Sequence, residues 1–362
     1  MLPALNLMTE GTTCFNLPEN GQYSHLTGDD AETQTHSSTG GDEVTYLRIG
    51  QDLPVSSDSE SLNFTSSRIQ RLEGLEKCSK LKTLSLVTNY ITKIENLNTL
   101  AHLNELELYQ NRIQVIEGLT PLYNLRVLDL SFNQIRKIEN LSTLVNLEKL
   151  YLSNNKITKI EGLDALKNLK LLELGSNRIR TIEGLSSLTK LEELWLGKNK
   201  ITSMLFPPFL HLRVLSLQSN RLENWDGTLC TNCQNLVELY VSNNNISSLP
   251  HGLRNLTCMK VLDLSSNKIS QIEQLESLEA LEDLWMNDNR IEDVKELRFL
   301  RGLTDLKTIY LERNPIQSNL GPGYRRMVLD AAPSIVQLDA LILNSPLSID
   351  SNSSLGKSAM RK

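Results

Sequence analysis

Two consecutive stretches decide the reading: LEKLYLSNNKITKIEGLDALKN at 147–168 and LKLLELGSNRIRTIEGLSSLTK at 169–190. Apolar residues fall at the same places in both, an Asn sits at the ninth position, and Ile-Glu follows five and six residues after it. A unit repeated at a period between about 20 and 29 residues, with this leucine spacing, is a leucine-rich repeat, and each unit contributes one short strand. Full units start at Leu81, Leu103, Leu125, Leu147, Leu169 and Leu191, each 22 residues apart. Later ones start near Leu212, Leu236, Met259, Leu281 and Leu306, at spacings of 21, 24, 23, 22 and 25. The Asn recurs from Asn89 to Asn314, and a degraded first unit has Ser67 in its place, as a capping repeat does. The expected fold is therefore an α/β leucine-rich-repeat horseshoe of about 12 units. It carries a parallel sheet on the concave face and short helices or 3-10 turns on the convex face. The solenoid is expected over 61–343, with a C-terminal cap at 318–343.

Each position has a mechanical task. In LxxLxL the last two leucines flank one residue, the period-2 signature of a strand with one buried face. The Asn turns the chain and bonds backbone groups that would otherwise be buried unpaired. One unit cannot cover its own apolar side, so stacking is obligatory. The Glu after the second Ile, as in Glu95, Glu117 and Glu139, faces water on this reading and caps the turn that follows. At 203–235 regularity falters: SMLFPPFLH carries Pro207–Pro208, which no helical turn accommodates, and the next unit contains Trp225, Cys230 and Cys233. Tyr324, Met327, Val328, Ala331 and Ala332 suit a short capping helix, with Ile335, Leu338, Leu341 and Ile342 continuing the cover.

The flanks read differently. Residues 1–60 are polar, lack an apolar period, and are expected to form a disordered leader; 344–362 read as a flexible tail. The N-terminal MLPALNLMTEGTTC has neither a basic region nor an apolar core long enough for a secretory signal. No apolar run approaches the ~18 residues of a membrane-spanning helix.

The 362 residues are 40% hydrophobic and 22% charged with a net charge of -6. This balance suits a folded chain and argues against nucleic acid, whose phosphates call for a basic face. Five scattered cysteines fit a reducing compartment, so nucleus and cytoplasm are the expected locations. A lone Cys230-x-x-Cys233 lacks the second pair that zinc requires and the fold context of a redox motif, and neither metal nor cofactor is expected. No phosphate loop, His-Glu-x-x-His or nucleophile elbow occurs, and the chain is not read as an enzyme.

Function is sought in the column between the two leucines of LxL, because alternation points it outward from the sheet. It runs Ser85, Glu107, Asp129, Tyr151, Glu173, Trp195, Ser216, Tyr240, Asp263, Trp285 and Tyr310. Five of these eleven are aromatic in a chain that is 5% aromatic, and most of the rest are acidic. The neighbouring column adds Glu105, Glu193, Glu238 and Asp283 against Lys149. Rings among carboxylates on a wide strand surface are the composition of a protein-binding face. Mere stacking of the rings on one another is the weaker account, since acids and small residues separate them along the column.

The unit LxxLxLxxNxIxxIExLxxLxx resembles the SDS22-like class of leucine-rich repeat. GSNRI at 175–179, GKNKIT at 197–202, QSNRL at 218–222, WMNDN at 285–289 and YLERNP at 310–315 resemble the leucine-rich regulatory subunits of protein phosphatase 1. The resemblance covers about 62–343. It implies a non-catalytic inhibitory, targeting or maturation subunit, monomeric outside its complex, that holds the Ser/Thr phosphatase catalytic subunit on its concave face. By motif the implied contacts are Asp129, Glu173, Asp263, Trp285 and Tyr310, together with Tyr151 and Trp195 where the family has Phe, and Asp283 where it has Glu. No Arg/Lys-Val-x-Phe docking motif is present. The repeat is shared with axonemal and other adaptors, so a structural or ciliary, cytoskeletal adaptor is the alternative.

Overall fold

Leucines two apart with one polar residue between them give every coil a three-residue strand, and the computed structural model stacks these strands in chain order. It describes residues 45–225 and 227–343. The strands are β1 (Ser61–Asn63), β2 (Thr83–Ser85), β3 (Glu105–Glu107), β4 (Val127–Asp129), β5 (Lys149–Tyr151), β6 (Leu171–Glu173), β7 (Glu193–Trp195), β8 (Val214–Ser216), β9 (Glu238–Tyr240), β10 (Val261–Asp263), β11 (Asp283–Trp285) and β12 (Thr308–Tyr310). All are parallel to their neighbours and pair leucine to leucine, as in Leu84↔Leu106 and Leu150↔Leu172. Two further strands, β13 (Gln337–Leu338) and β14 (Leu341–Ile342), close the sheet, and β14 runs antiparallel. This is the leucine-rich-repeat solenoid, with short helices and 3-10 turns in the return segments.

The Asn ladder holds the coils together. In each interior coil the amide behaves alike. Asn177 Nδ2 donates to Leu174 O at 3.1 Å in its own coil and to Leu152 O at 2.9 Å in the coil before, while Asn177 Oδ1 accepts from Ile157 N at 2.9 Å. Ile157 N would otherwise be an orphaned buried donor, and each leucine carbonyl is shared by two successive Asn amides, as Leu152 O is by Asn155 and Asn177. The residue just before the Asn is left-handed throughout, from Ser66 and Thr88 to Asp288 and Arg313, with φ between 52° and 57°. A second tight point is the residue after the Glu of Ile-Glu. Gly162 sits there at φ +70°, and a Cβ on it would lie 2.5 Å from Ile138 O. Where the sequence has Asn instead, the side chain bonds back to the preceding coil, as Asn140 does to Ile116 O at 2.7 Å.

Three expectations are corrected. Residues 45–60, read as part of the leader, fold onto the first coil. Ile49 is 1% exposed, Leu53 and Val55 pack against the core, and Leu47 N donates to Arg68 O. One buried isoleucine in a polar stretch leaves no periodic trace. The rest of the leader, 1–44, and the tail, 344–362, lie outside the described residues. The Glu column does not cap turns. Where a lysine stands two positions back the Glu pairs with it, as in Lys93–Glu95 and Lys137–Glu139, both at 3.4 Å, and Glu183 accepts from the Thr181 hydroxyl. In the coils that start at Leu81 through Leu191 that space is a simple turn. The later units, from Leu212 on, hold there α1 (Thr228–Asn232), 3-10 turns at Leu253–Asn255 and Leu275–Ser277, and a nine-residue 3-10 helix at Val294–Gly302, as expected of the return segments. At the C-terminus, α2 (Pro315–Leu320) and α3 (Tyr324–Ala331) cover the last coil with Tyr324, Val328, Ala331, Ile335 and Leu338 buried. Met327, Leu341 and Ile342, also expected inside, are 39%, 53% and 59% exposed.

The irregular 203–235 stretch leaves the sheet intact. Met204, Phe206 and Phe209 fill the core where the usual leucines are missing, and β7 and β8 keep their register, Leu194 opposite Leu215. Cys230 and Cys233 are fully buried, and burial pushes the Cys233 thiol up to about 12. An apolar wall of this kind makes a poor nucleophile. No group of metal-binding side chains occurs among the described residues, and none of the described helices is long and apolar enough to cross a membrane.

Candidate functional site

Because the strands pair without slippage, the column between the leucines becomes one continuous row across the sheet. Glu107 lies opposite Asp129, Asp129 opposite Tyr151, and Tyr151 opposite Glu173. The row continues through Trp195, Ser216, Tyr240, Asp263 and Trp285 to Tyr310. Trp195, Trp285 and Tyr310 are half-buried beside fully buried leucines, so they stand on the open side of the sheet. Asp283 stands on the same side in the neighbouring row, between Val261 and Thr308.

The row divides into two parts. Over β3–β6 it is acidic. Burial raises Asp129 to about 6, against the pull of Ser131, whose N–H donates to Asp129 Oδ1 at 2.8 Å, and with a push from the Glu107 charge. Burial raises Glu173 too, with the Asp129 charge adding to it, and Glu105 rises for the same reasons with Glu107 as its neighbour. Buried carboxylates crowding one another favour a cation from outside. The nearest counter-charge on these strands, Lys149, is exposed.

Over β7–β12 the row is aromatic, and here the expectation of separated rings is corrected. Ser216 and Asp263 are only 2% and 6% exposed because the larger rings on either side close over them. Trp195 stacks on Tyr240 with centroids 6.3 Å apart and planes at 19°. Tyr240 meets Trp285 at 6.3 Å, and Trp285 meets Tyr310 edge-on at 6.5 Å. Residues two strands apart thus touch once the intervening side chain is small. Each polar tip is fixed: Trp195 Nε1 donates to Glu193 Oε2 at 3.2 Å, Tyr240 OH donates to Glu238 Oε2 at 2.8 Å, and Gln337 Nε2 donates to Tyr310 OH at 2.6 Å. Trp285 Nε1 is the exception, buried without an acceptor.

The structure therefore gathers Trp195, Trp285 and Tyr310 into one ring cluster, and places Asp129, Tyr151 and Glu173 together some strands away. Asp263 lies beneath the rings, its carboxylate engaged by the N–H and hydroxyl of Ser265. Tyr240, absent from the residues singled out for partner contact, is the centre of the cluster. Its place in the column is the signal that would have found it. Glu107 belongs with the acidic group on the same ground.

Fold, ladder and strand face are those of a leucine-rich-repeat solenoid. The family described as "Leucine Rich repeats (2 copies)" matches in overlapping blocks at 101–143, 123–165, 145–187 and 167–208, and "Leucine rich repeat" matches 211–269. Among curated relatives, human protein phosphatase 1 regulatory subunit 7 is 48% identical over 50 residues, 14% of this chain and 13% of the relative. Human cilia- and flagella-associated protein 410 is 33% identical over 81 residues, 22% of this chain and 32% of the relative. The chain thus spans about a third or less of the length of these relatives. Among solved structures, an internalin from Listeria monocytogenes superposes with a TM-score of 0.62 at 24% identity, covering 78% of this chain and 87% of that one. A leucine-rich-repeat protein of Leptospira interrogans gives 0.59 at 24% identity, covering 73% and 74%. At such identities the likeness is one of fold.

Proposed function

We propose that the chain is a non-catalytic regulatory subunit of protein phosphatase 1, of the SDS22-like class, that holds the Ser/Thr catalytic subunit on the strand face. In this reading it inhibits, targets or matures that enzyme in nucleus and cytoplasm. The observation that carries the reading is the ring cluster Trp195–Tyr240–Trp285–Tyr310 flanked by an acidic patch on one uninterrupted sheet. Large apolar area at low entropic cost, beside charge that fixes orientation, is what a protein partner meets at a binding hot spot. The similarity of part of the chain to a phosphatase regulatory subunit supports the choice of partner.

The test is recovery of bound protein by the full chain from a cell extract, with mass identification, for wild type, Trp285→Ala and Tyr310→Ala. Loss of a hot-spot ring costs about 2 kcal/mol or more, about 30-fold in affinity. Undiminished recovery of the phosphatase by both variants removes this face as its site. A ciliary or cytoskeletal adaptor is the second reading, favoured by the similarity to cilia- and flagella-associated protein 410. Co-sedimentation with microtubules and no phosphatase in the recovered material decides for it.

A further inference from the structure

The nine-residue 3-10 helix Val294–Gly302 is long for its kind, since such runs seldom exceed ~3–4 residues. It lies in the return segment of the unit before the cap, off the strand face, and its sequence is VKELRFLRG. At three residues per turn, side chains three apart eclipse one another. Leu297 and Leu300 accordingly share a buried row, 3% and 1% exposed. Lys295, Arg298 and Arg301 share the adjacent exposed row. With a rise of about 2 Å per residue, these cations stand about 6 Å apart.

Between this row and α3 runs a groove of about 230 Å³, with Val294, Leu297, Met327 and Ala331 as its apolar floor and Asp330 on its far wall. Val294 and Met327 are 37% and 39% exposed within it. The groove is smaller than the ~300 Å³ at which small-molecule sites begin, and it suits one or two inserted side chains. Among the described residues none of the three cations meets a carboxylate. Asp330 faces Arg326 at 3.8 Å, Glu296 accepts from Ile272 N at 2.8 Å, and Asp293 accepts from Lys295 N at 2.9 Å. Arg298 lies over the Phe299 ring at 4.6 Å, which steadies its arm. What sets this row apart from the other exposed cations is its straight spacing beside an open apolar slot, in a chain of net charge -6.

We propose that this groove docks an acidic amphipathic α-helix of a second protein, separately from whatever the strand face holds. Carboxylates at every fourth position of an α-helix rise by about 6 Å, 1.5 Å per residue, which matches the spacing of the cation row. An apolar residue on the same face then drops between Val294 and Met327, the helix-in-groove mode of recognition. A nucleic acid strand would satisfy the cations and leave the apolar floor uncovered. Since the groove lies off the strand face, both partners can be held at once, and the chain becomes a bridge between them.

Fluorescence anisotropy with the full chain tests this, using a labelled synthetic alanine-based helix that carries Glu at every fourth position beside a row of Leu. Binding is expected to saturate and to weaken with salt. It is expected to fall at least about tenfold in Arg298→Gln/Arg301→Gln and in Met327→Asp, while Trp285→Ala leaves it unchanged. Urea unfolding of each variant shows that the fold survives, and the milder Arg301→Gln alone serves where a double variant does not fold. Equal binding by the charge-neutralised variants, equal binding of the same helix with Lys in place of Glu, or binding of an oligothymidylate in preference to the peptide overturns the proposal. None of these results depends on the identity of the partner on the strand face.

Discussion

A single amide at each Asn position does the work of three backbone partners, and that sets its cost of removal. In Asn177→Ala, Ile157 N loses its acceptor outright, while Leu152 O and Leu174 O each drop from two amide donors to one, Asn155 and Asn199 remaining. At about 1–3 kcal/mol for the one buried group left unpaired, and less for the two carbonyls that keep a donor, the expected loss is about 2–3 kcal/mol, read as a shift in the urea midpoint. Asn177→Asp keeps the acceptor and loses the donor, so it should fall between. Asp129 behaves in the opposite sense. Its folded pKa, about 6, lies above the ordinary carboxylate value, so the folded chain binds a proton more tightly than the unfolded one. Stability therefore falls as pH rises from about 4 to about 6, and the penalty is complete above that window. Asp129→Asn should be more stable than wild type at pH 7.5 by about 1–3 kcal/mol and no more stable at pH 4, as measured by urea unfolding at both pH values. The Asn was legible in the sequence because it recurs without substitution in eleven units. The left-handed residue ahead of it was not. Thr88, Gln110, Phe132, Lys198 and Arg313 share that backbone shape and share no chemistry, since the Asn bonds, rather than the residue itself, impose the turn.

At the scale of the element, the strands were readable from alternation alone, and the array ends were not. Termini use unique residues once each, so no period announces them. Asp339 is the clearest case. Its Oδ1 accepts from Leu311 N at 2.8 Å and Glu312 N at 2.9 Å, and Tyr324 OH donates to its other oxygen at 3.0 Å. With 8% exposure and φ 53°, it stands in for the next strand's backbone carbonyl, which in the other coils accepts from the same position, as Tyr310 O does from Met286 N. Asp339→Ala should cost about 2–4 kcal/mol, because bonds to a charged acceptor contribute about 1.5–3 kcal/mol each and not additively. Faster hydrogen exchange at the Leu311 and Glu312 amides should accompany that loss, and Asp339→Asn, which keeps an acceptor oxygen, should restore most of it. If exchange at those two amides is unaltered, the cap does not close the array through Asp339. The ring cluster was half legible for a related reason. Column membership follows from the strand period, but contact between Trp195 and Tyr240 depends on Ser216 being small enough to be covered. That is a property of three strands together.

Across the whole sheet, the strand face has two ends of different chemistry, and a partner spanning both should feel them differently. Asp129 on β4 and Trp285 on β11 are seven strand spacings apart, about 34 Å at ~4.8 Å each, far beyond the ~10 Å within which substitutions couple. Their effects on binding should therefore add. Long-range attraction from the acidic end acts before contact, and loss of such charges shows chiefly in the association rate and its salt dependence. The rings act after contact, by excluding water and filling surface, and loss of a buried anchor shows in the dissociation rate. Against immobilised phosphatase catalytic subunit, Asp129→Asn/Glu173→Gln should slow association several-fold at low salt and little at high salt, with dissociation near wild type. Trp285→Ala should quicken dissociation by about 30-fold, from the ~2 kcal/mol of a hot-spot ring, at either salt concentration. Biolayer interferometry at two ionic strengths separates the two. If both variants alter the same rate constant with the same salt dependence, the acidic and aromatic halves are not distinct parts of one interface, and the division of labour along the row is wrong.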